Sequence, residues 1–298
     1  MSMLLPDGIW PTMITPFHDD GTIDFPSLKR LVDWYIDQGV DGLFAVCQSS
    51  EMFHLSLEEK VRLAEASIDA AAGRVPVICS GHTADTLPEQ VHELQTMAAT
   101  GVEAVVLIVN RLAARGEGEE SALRNLREIT AGIPPEVPLG FYECPYPYKR
   151  LISPEILEYS IASGRYSFLK DTCCDSRLIQ ERLVRLRGTG FKLFNANSAT
   201  LSLSLAAGAS GYSGVMANFH PSLYRKLVTS QREEPGSADD LQNLLGAVSA
   251  IEDEWYPMTA KYHLSQLGII ESIYTRKHAS AELDENHRLM VEQMGRLF

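Results

Sequence analysis

Ala104-Val105-Val106-Leu107-Ile108-Val109 is an unbroken apolar run. It follows a helical pattern over Leu87 to Thr100 that Gly101 closes. A strand that is apolar at every residue, rather than at alternate ones, is buried on both faces, as in a parallel sheet covered by helices. The same strand-then-helix couple recurs on both sides of it. Upstream, Gly8 to Thr15 reads as a strand ended by Pro16. A helix follows over about Pro26 to Gln38, with Leu28, Leu31, Val32, Tyr35 and Ile36 at helical spacing and Gly39 placed as a C-cap. Gly42 to Val46 is a second strand, and Ser56 and Glu59 form a capping box ahead of a helix ending near Gly73. Val75 to Cys79 is a third strand.

Downstream, a helix near Glu119 to Thr130 precedes a strand over Leu139 to Glu143. Ser153 and Pro154 are an N-cap and first-turn proline opening the next helix. Phe168 to Asp171 is a sixth strand with a helix over Ser176 to Leu186 after it. Lys192 to Asn195 is a seventh, followed by a short helix around Thr200 to Ala207, and Gly211 to Val215 is an eighth. Eight such units predict an α/β fold, the closed parallel (β/α)8 TIM barrel. The competing open, doubly wound sheet usually shows a Gly-rich turn after its first strand. Here that strand ends in Thr15-Pro16-Phe17. The barrel is expected over residues 1–220. Residues 221–298 read as a helical C-terminal extension packed on the barrel, with a polar loop at Gln231 to Asp240.

The chain of 298 residues is 45% hydrophobic and 22% charged, an ordinary globular balance with enough length for a large core. Its formal net charge of -13 argues against nucleic acid or an anionic membrane as the main partner. Met1 to Trp10 lacks the charged start and long apolar stretch of a signal peptide. No apolar run reaches the roughly 18 residues of a membrane span. A soluble, cytoplasmic protein is expected. The five cysteines form no Cys-x-x-Cys pair, so neither a zinc site nor a disulfide framework is expected, in keeping with a reducing compartment.

In a parallel barrel the chemistry lies at the C-terminal strand ends. Lys170 closes the apolar strand Ser167-Phe168-Leu169-Lys170-Asp171. Burial there would disfavour its charged form, and a neutral amine attacks a ketone to form an imine. The plain alternative is a lysine that reaches solvent or pairs with Asp171. Tyr142 lies one strand–helix unit earlier, so its phenol could serve a substrate held at Lys170; otherwise it is a packed barrel tyrosine. The turn Gln48-Ser49-Ser50 offers N–H groups and hydroxyls to a carboxylate, although such serines often only cap a helix. Asn195, Asn197 and Ser213 end the seventh and eighth strands. Cys47, Cys79, Cys144, Cys173 and Cys174 fall near the same strand ends; no ligand spacing supports a metal, and small apolar filler is the simpler reading.

Together these segments resemble the dihydrodipicolinate synthase / N-acetylneuraminate lyase family over nearly the whole chain. The resemblance is carried by Gly8-Ile9-Trp10-Pro11-Thr12-Met13-Ile14-Thr15-Pro16-Phe17, Gly21-Thr22-Ile23-Asp24 and Gln38-Gly39-Val40-Asp41-Gly42-Leu43. Cys47-Gln48-Ser49-Ser50-Glu51 stands where the family usually has Gly-Thr-Thr-Gly-Glu, Tyr142 and Pro145 match its Tyr-x-x-Pro motif, and Leu169-Lys170-Asp171 matches its Schiff-base lysine motif. The resemblance implies a class I aldolase or lyase in which a 2-keto acid, typically pyruvate, forms an imine with Lys170. It implies that the Gln48, Ser49 and Ser50 turn holds the substrate carboxylate. It further implies that Tyr142 moves protons, positioned through the Ser49 hydroxyl, and that Asn195, Asn197 and Ser213 line the place for a hydroxylated substrate. No metal or cofactor is implied, and the assembly would be a homo-oligomer, commonly a tetramer.

The departures bear on specificity. Leu107 to Leu112 replaces the synthases' Pro-Tyr-Tyr run, so the tyrosine that a neighbouring subunit donates to the proton relay is missing. Pro147 stands where the synthases carry an arginine for the second substrate's carboxylate; Lys149 and Arg150 are the nearby cations. The leading expectation is therefore a 2-keto acid lyase or aldolase other than dihydrodipicolinate synthase itself. A Schiff-base dehydratase, deaminase or decarboxylase acting on a sugar acid or a hydroxyproline-derived acid is the alternative. A ligand-binding protein that kept the fold without the activity is the third reading.

Overall fold

Strands and helices alternate in the computed structural model, which describes residues 5–234, 236–279 and 281–297. In chain order they are β1 (Gly8–Ile9), α1 (Phe25–Asp37), β2 (Leu43–Phe44), α2 (Leu57–Ala71), β3 (Val77–Cys79), α3 (Leu87–Ala98), β4 (Ala104–Ile108) and α4 (Glu119–Gly132). Then come β5 (Leu139–Tyr142), α5 (Pro154–Ser163), β6 (Tyr166–Asp171), α6 (Ser176–Leu186), β7 (Lys192–Asn195), α7 (Leu201–Ala206), β8 (Gly211–Tyr212) and α8 (Pro221–Glu233). The eight parallel strands run in the order β1-β8-β7-β6-β5-β4-β3-β2. The seam between β1 and β2 is joined by a parallel bridge between Thr12 and Phe44. The Phe44 N–H donates to the Pro11 carbonyl at 3.0 Å. The fold is the (β/α)8 barrel.

Local chemistry explains the boundaries. Ser56 and Glu59 satisfy one another's backbone N–H groups at the head of α2, and Ser153 caps α5 with Pro154 in its first turn. Gly164 ends α5 in a left-handed conformation. The first strand is shorter than the sequence reading, because Pro11 has no N–H to continue the ladder. Helix α8 packs on β1 and β8, so the eighth helix of the ring lies beyond residue 220.

The extension is less helical than expected. The polar loop narrows to the residues between α8 and α9 (Asp239–Val248), whose first turn carries Asp239 and Asp240 at the positive end of the helix dipole. A 3-10 turn over Ser249–Asp253 follows, then α10 (Met258–Gln266) and α11 (Glu285–Gly295). The chain between α10 and α11 has no regular element among the described residues. It is fixed by side chains instead. Lys261 on α10 is fully buried and pairs with Glu51 at 2.8 Å, while its ammonium also reaches the Tyr274 carbonyl at 2.6 Å. Arg276 pairs with Glu59 of α2 at 2.6 Å, and both cations lie over the Phe17 ring.

Inside the barrel, aromatic rings form a floor. Phe168 and Phe194 stack at 4.6 Å between centroids, with Trp10 5.4 Å from Phe168 and Phe44 6.0 Å from it. All four are fully buried. Gly42 makes room for the indole: a Cβ there would stand 2.4 Å from two Trp10 ring carbons. Gly42→Ala therefore forces the floor to shift, at about 1–3 kcal/mol for overpacking. A thermal melt should fall by several degrees; an unchanged Tm would show that Trp10 has space to move.

Candidate active site

Side chains alternate across a strand, and this sorts the ends of β5 and β6 into two pairs. Tyr142 and Lys170 are register partners and point into the barrel. Their successors, Glu143 and Asp171, point the other way, and Arg182 of α6 lies between them. The Arg182 guanidinium holds Glu143 at 2.6 Å and also bonds Asp171. All three side chains are buried. The remaining carboxylate capacity goes to backbone N–H groups: Glu143 accepts from Ile152 and Thr172, and Asp171 accepts from Cys173. Burial opposes the guanidinium's charge, but the two carboxylates outweigh it and keep Arg182 protonated.

Asp171 is thus engaged elsewhere, and Lys170 stands alone. It is 3% exposed and makes no ion pair or hydrogen bond among the described residues. Its ammonium sits 4.2 Å from the centroid of the Tyr142 ring. Burial pushes its pKa below the ordinary 10.5, with Cys47, Cys144 and Glu252 pulling the other way. Burial also pushes the Tyr142 phenol well above 10, so it stays neutral at neutral pH. The phenol donates to Gln48 Oε1 at 3.3 Å, and the Cys144 thiol donates to the same oxygen at 3.1 Å.

The turn after β2 is held from below. Glu51 adopts a left-handed backbone (φ 61°), and its carboxylate is gripped by Lys261 and by the Lys277 N–H. The Ser50 hydroxyl faces inward, donating to the Met13 and Ala45 carbonyls, and also accepts from the Cys47 N–H. Gln48 and Ser49 face the opening, with the Ser49 hydroxyl 3.2 Å from that of Thr12. Tyr142 is tied to Gln48 and not to Ser49.

These groups line a cavity of about 620 Å³ that holds Lys170, Tyr142, Gln48, Ser49 and Asn197 together. Ser50, Asn195 and Ser213 lie outside its lining. The Asn195 amide is spent on Thr200 and Ser204, each at 3.0 Å. The Ser213 hydroxyl is buried without a partner among the described residues. Of the two cations near Pro147, Lys149 lines the cavity and donates to the Thr172 carbonyl. Arg150 turns away to Glu119 at 3.6 Å.

Two groups of residues escaped the sequence reading. Asn110, in the 3-10 turn after β4, donates to the Cys144, Tyr146 and Tyr148 carbonyls at 2.6–2.9 Å and so holds the loop after β5. Glu252, Trp255 and Tyr256 come from the extension and form the far wall of the cavity. The Tyr256 hydroxyl accepts from the Asn218 amide at 3.0 Å. Glu252 is the main surprise, because burial, with Asp253 adding to it, pushes its carboxyl up to about 7 against the pull of Lys170. All five cysteines are free. Among the described residues no group of three or more His, Cys, Asp or Glu side chains is arranged to hold a metal ion. No helix there is long and apolar enough to cross a membrane.

Comparison with known proteins agrees with this architecture. The family model described as the dihydrodipicolinate synthetase family matches residues 5–294. A 4-hydroxy-tetrahydrodipicolinate synthase of Shewanella sp. (strain ANA-3) is 27% identical over 97% of both chains, and one from Shewanella baltica (strain OS155) is 28% identical over the same shares. Among solved structures, a monomeric dihydrodipicolinate synthase variant superposes with a TM-score of 0.89 at 16% identity, covering 99% of this chain and 98% of its own. An Escherichia coli K12 prophage protein of the dihydrodipicolinic acid synthase family, solved with pyruvate, gives 0.85 at 22% identity, covering 98% and 97%. A Clostridium difficile protein solved with mannosamine gives 0.86 at 19% identity, covering 98% and 99%. With the family model spanning all but the chain's ends, this protein belongs to the dihydrodipicolinate synthetase family.

Proposed function

We propose that this protein is a lyase that binds a 2-keto acid as an imine on Lys170 and makes or breaks the C–C bond one carbon further along. The observation that carries this reading is the state of Lys170: buried, unpaired and set at the base of an open cavity. An ammonium so placed loses its proton more readily, and the free amine is the nucleophile an imine requires. The amine adds to the keto carbon, the carbinolamine loses water, and a protonated imine remains. That cation draws the electrons of the C3–C4 bond inward as the C4 hydroxyl gives its proton to the Tyr142 phenolate, leaving an enamine and releasing an aldehyde; condensation is the reverse. Tyr142, as a neutral phenol beside Lys170, hands a proton to the departing hydroxyl and recovers one on the return. Gln48 and Ser49 receive the substrate carboxylate.

The pyruvate held by the E. coli relative supports the substrate class. The hydroxylated amino sugar on the C. difficile relative is in keeping with a polyol-bearing partner facing Asn197. A homotetramer in the cytoplasm belongs to the same reading. Condensation with aspartate semialdehyde does not. Pro147 offers no charge to its carboxylate, and the segment after β4 supplies Asn110 and Arg111, which serve the β5 loop and Asp85, in place of a tyrosine.

Incubation with pyruvate and borohydride should add one reduced pyruvyl group at Lys170, located by peptide mass spectrometry. Labelling elsewhere, or none with any 2-keto acid, would sink the mechanism. It would leave the ligand-binding reading in its place. The sign of the pKa shift sets the pH profile. A lowered value means that more free amine is present at a given pH, so the capture rate should level off below pH 10.5. A midpoint at or above that value would reveal a solvated lysine.

In a coupled assay with pyruvate and aspartate semialdehyde, kcat/KM should fall well short of the roughly 10⁴ M⁻¹s⁻¹ that marks an ordinary enzyme on its own substrate. Turnover above that level would show that Lys149 has taken over the carboxylate.

A further inference from the structure

In the proposed mechanism Tyr142 is occupied with the protons of the substrate hydroxyls. Its O–H is given to Gln48, and burial holds it as a neutral phenol. Yet an imine on Lys170 becomes an enamine only when C3 gives up a proton, or when a C–C bond there breaks and C3 later receives one. A second acid–base group in the cavity would serve that proton while Tyr142 serves the hydroxyls.

Glu252 has the placement for it. The 3-10 turn Ser249–Asp253 brings it into the same cavity as Lys170, and each charge acts on the other. Its Oε2 is shut off from solvent and accepts no hydrogen bond among the described residues. A carboxylate oxygen desolvated and left unbonded is costly, and such an orphan in a reaction cavity invites a role. Asp253 and Glu254 also line the cavity, but both are exposed to solvent, where Glu252 keeps one oxygen shut off from it.

We propose that Glu252 is the catalytic acid–base at substrate C3. Its carboxylate takes one C3 proton from the Lys170 imine. The C–H electron pair becomes the C2=C3 bond, and the imine π pair moves to nitrogen. The product is a neutral enamine facing a neutral carboxylic acid. In the cleavage direction Glu252 starts as the protonated acid and gives its proton to C3 after the aldehyde has left. The proposal rests on the Lys170 imine.

The setting tunes the group for this work. Around it are Lys170 from β6, Cys174 from the following loop, Tyr212 from β8, Tyr224 from α8, and Asp253 and Tyr256 from its own segment. Lys149, Lys277 and His278 line the same cavity. The three tyrosines are held above 10 by burial and stay neutral. Burial first and Asp253 second bring the carboxyl to about 7, near the optimum for passing protons at neutral pH. His278 meets Trp255 edge-on at 5.2 Å between centroids, and burial, with Lys277 adding to it, lowers its pKa.

Pyruvate alone tests the idea, by comparing wild type with Glu252→Gln. Borohydride capture reports the imine, and loss of the pyruvate methyl proton signal in D2O reports exchange at C3. The variant should still be captured at Lys170, at a rate that moves with the loss of the Glu252 charge, and this also shows that it is folded. Exchange at saturating pyruvate should be at least about 100-fold slower in the variant, the low end for general acid–base catalysis. The wild-type rate should rise as pH passes upward through about 7, and the variant should lack that rise. Equal exchange in both proteins, or a wild type that forms the imine without exchanging, overturns the role of Glu252. Absence of capture in wild type overturns the imine itself.

Discussion

Arg182 sits buried between two carboxylates, and the order of the site follows from it. A lone guanidinium or a lone carboxylate at that depth would be heavily penalised, whereas the paired and hydrogen-bonded set persists. Because each carboxylate is answered by Arg182 and by backbone N–H groups, the ends of β5 and β6 are fixed to α6 and to the loops that follow. On the opposite face of the same strands, Lys170 lies over an aromatic ring, with no ion pair or hydrogen bond among the described residues. The alternation of a β-strand thus separates a satisfied charge cluster from an unsatisfied amine across a single peptide bond.

A second buried pair does comparable work at the mouth. Glu51 needs a left-handed backbone, uncommon for a residue with a side chain, and Lys261 holds it there from α10. Burial lowers the lysine to about 8, and Glu51 resists that shift. Through this contact the turn carrying Gln48 and Ser49 is fastened to the segment carrying Trp255 and Tyr256. Two stretches some two hundred residues apart therefore form one wall. Arg276, on the chain after α10, reaches back to Glu59 and fastens the extension at another point.

Much of this was legible in the chain. Apolar runs, capping residues and the spacing of units specify the barrel, because each is a local signal repeated eight times. Lys170 and Tyr142 were legible for the same reason, since residues at equivalent ends of adjacent parallel strands become neighbours. Hydroxyl and amide residues were less so. Ser50 and Asn195 carry the right groups at the right strand ends, but nearby carbonyls and hydroxyls claim them first. Their orientation depends on competition within a few ångströms, which spacing does not encode. Glu252 was illegible for another reason: it reaches the cavity only because long-range ion pairs fold the extension back over the barrel.

The aromatic floor beneath Lys170 has a consequence for traffic. Trp10, Phe44, Phe168 and Phe194 are fully buried and fill the barrel axis among the described residues, so the way to Lys170 is through the open side of the cavity. Whatever enters must leave by the same door, and so must any water that reaches the lysine. A bound organic molecule acts as its own stopper, keeping bulk water out while it is in place. On the proposed mechanism, hydrolytic release at Lys170 waits on departure of the outer part of the occupant, which sets the order of events without any moving gate.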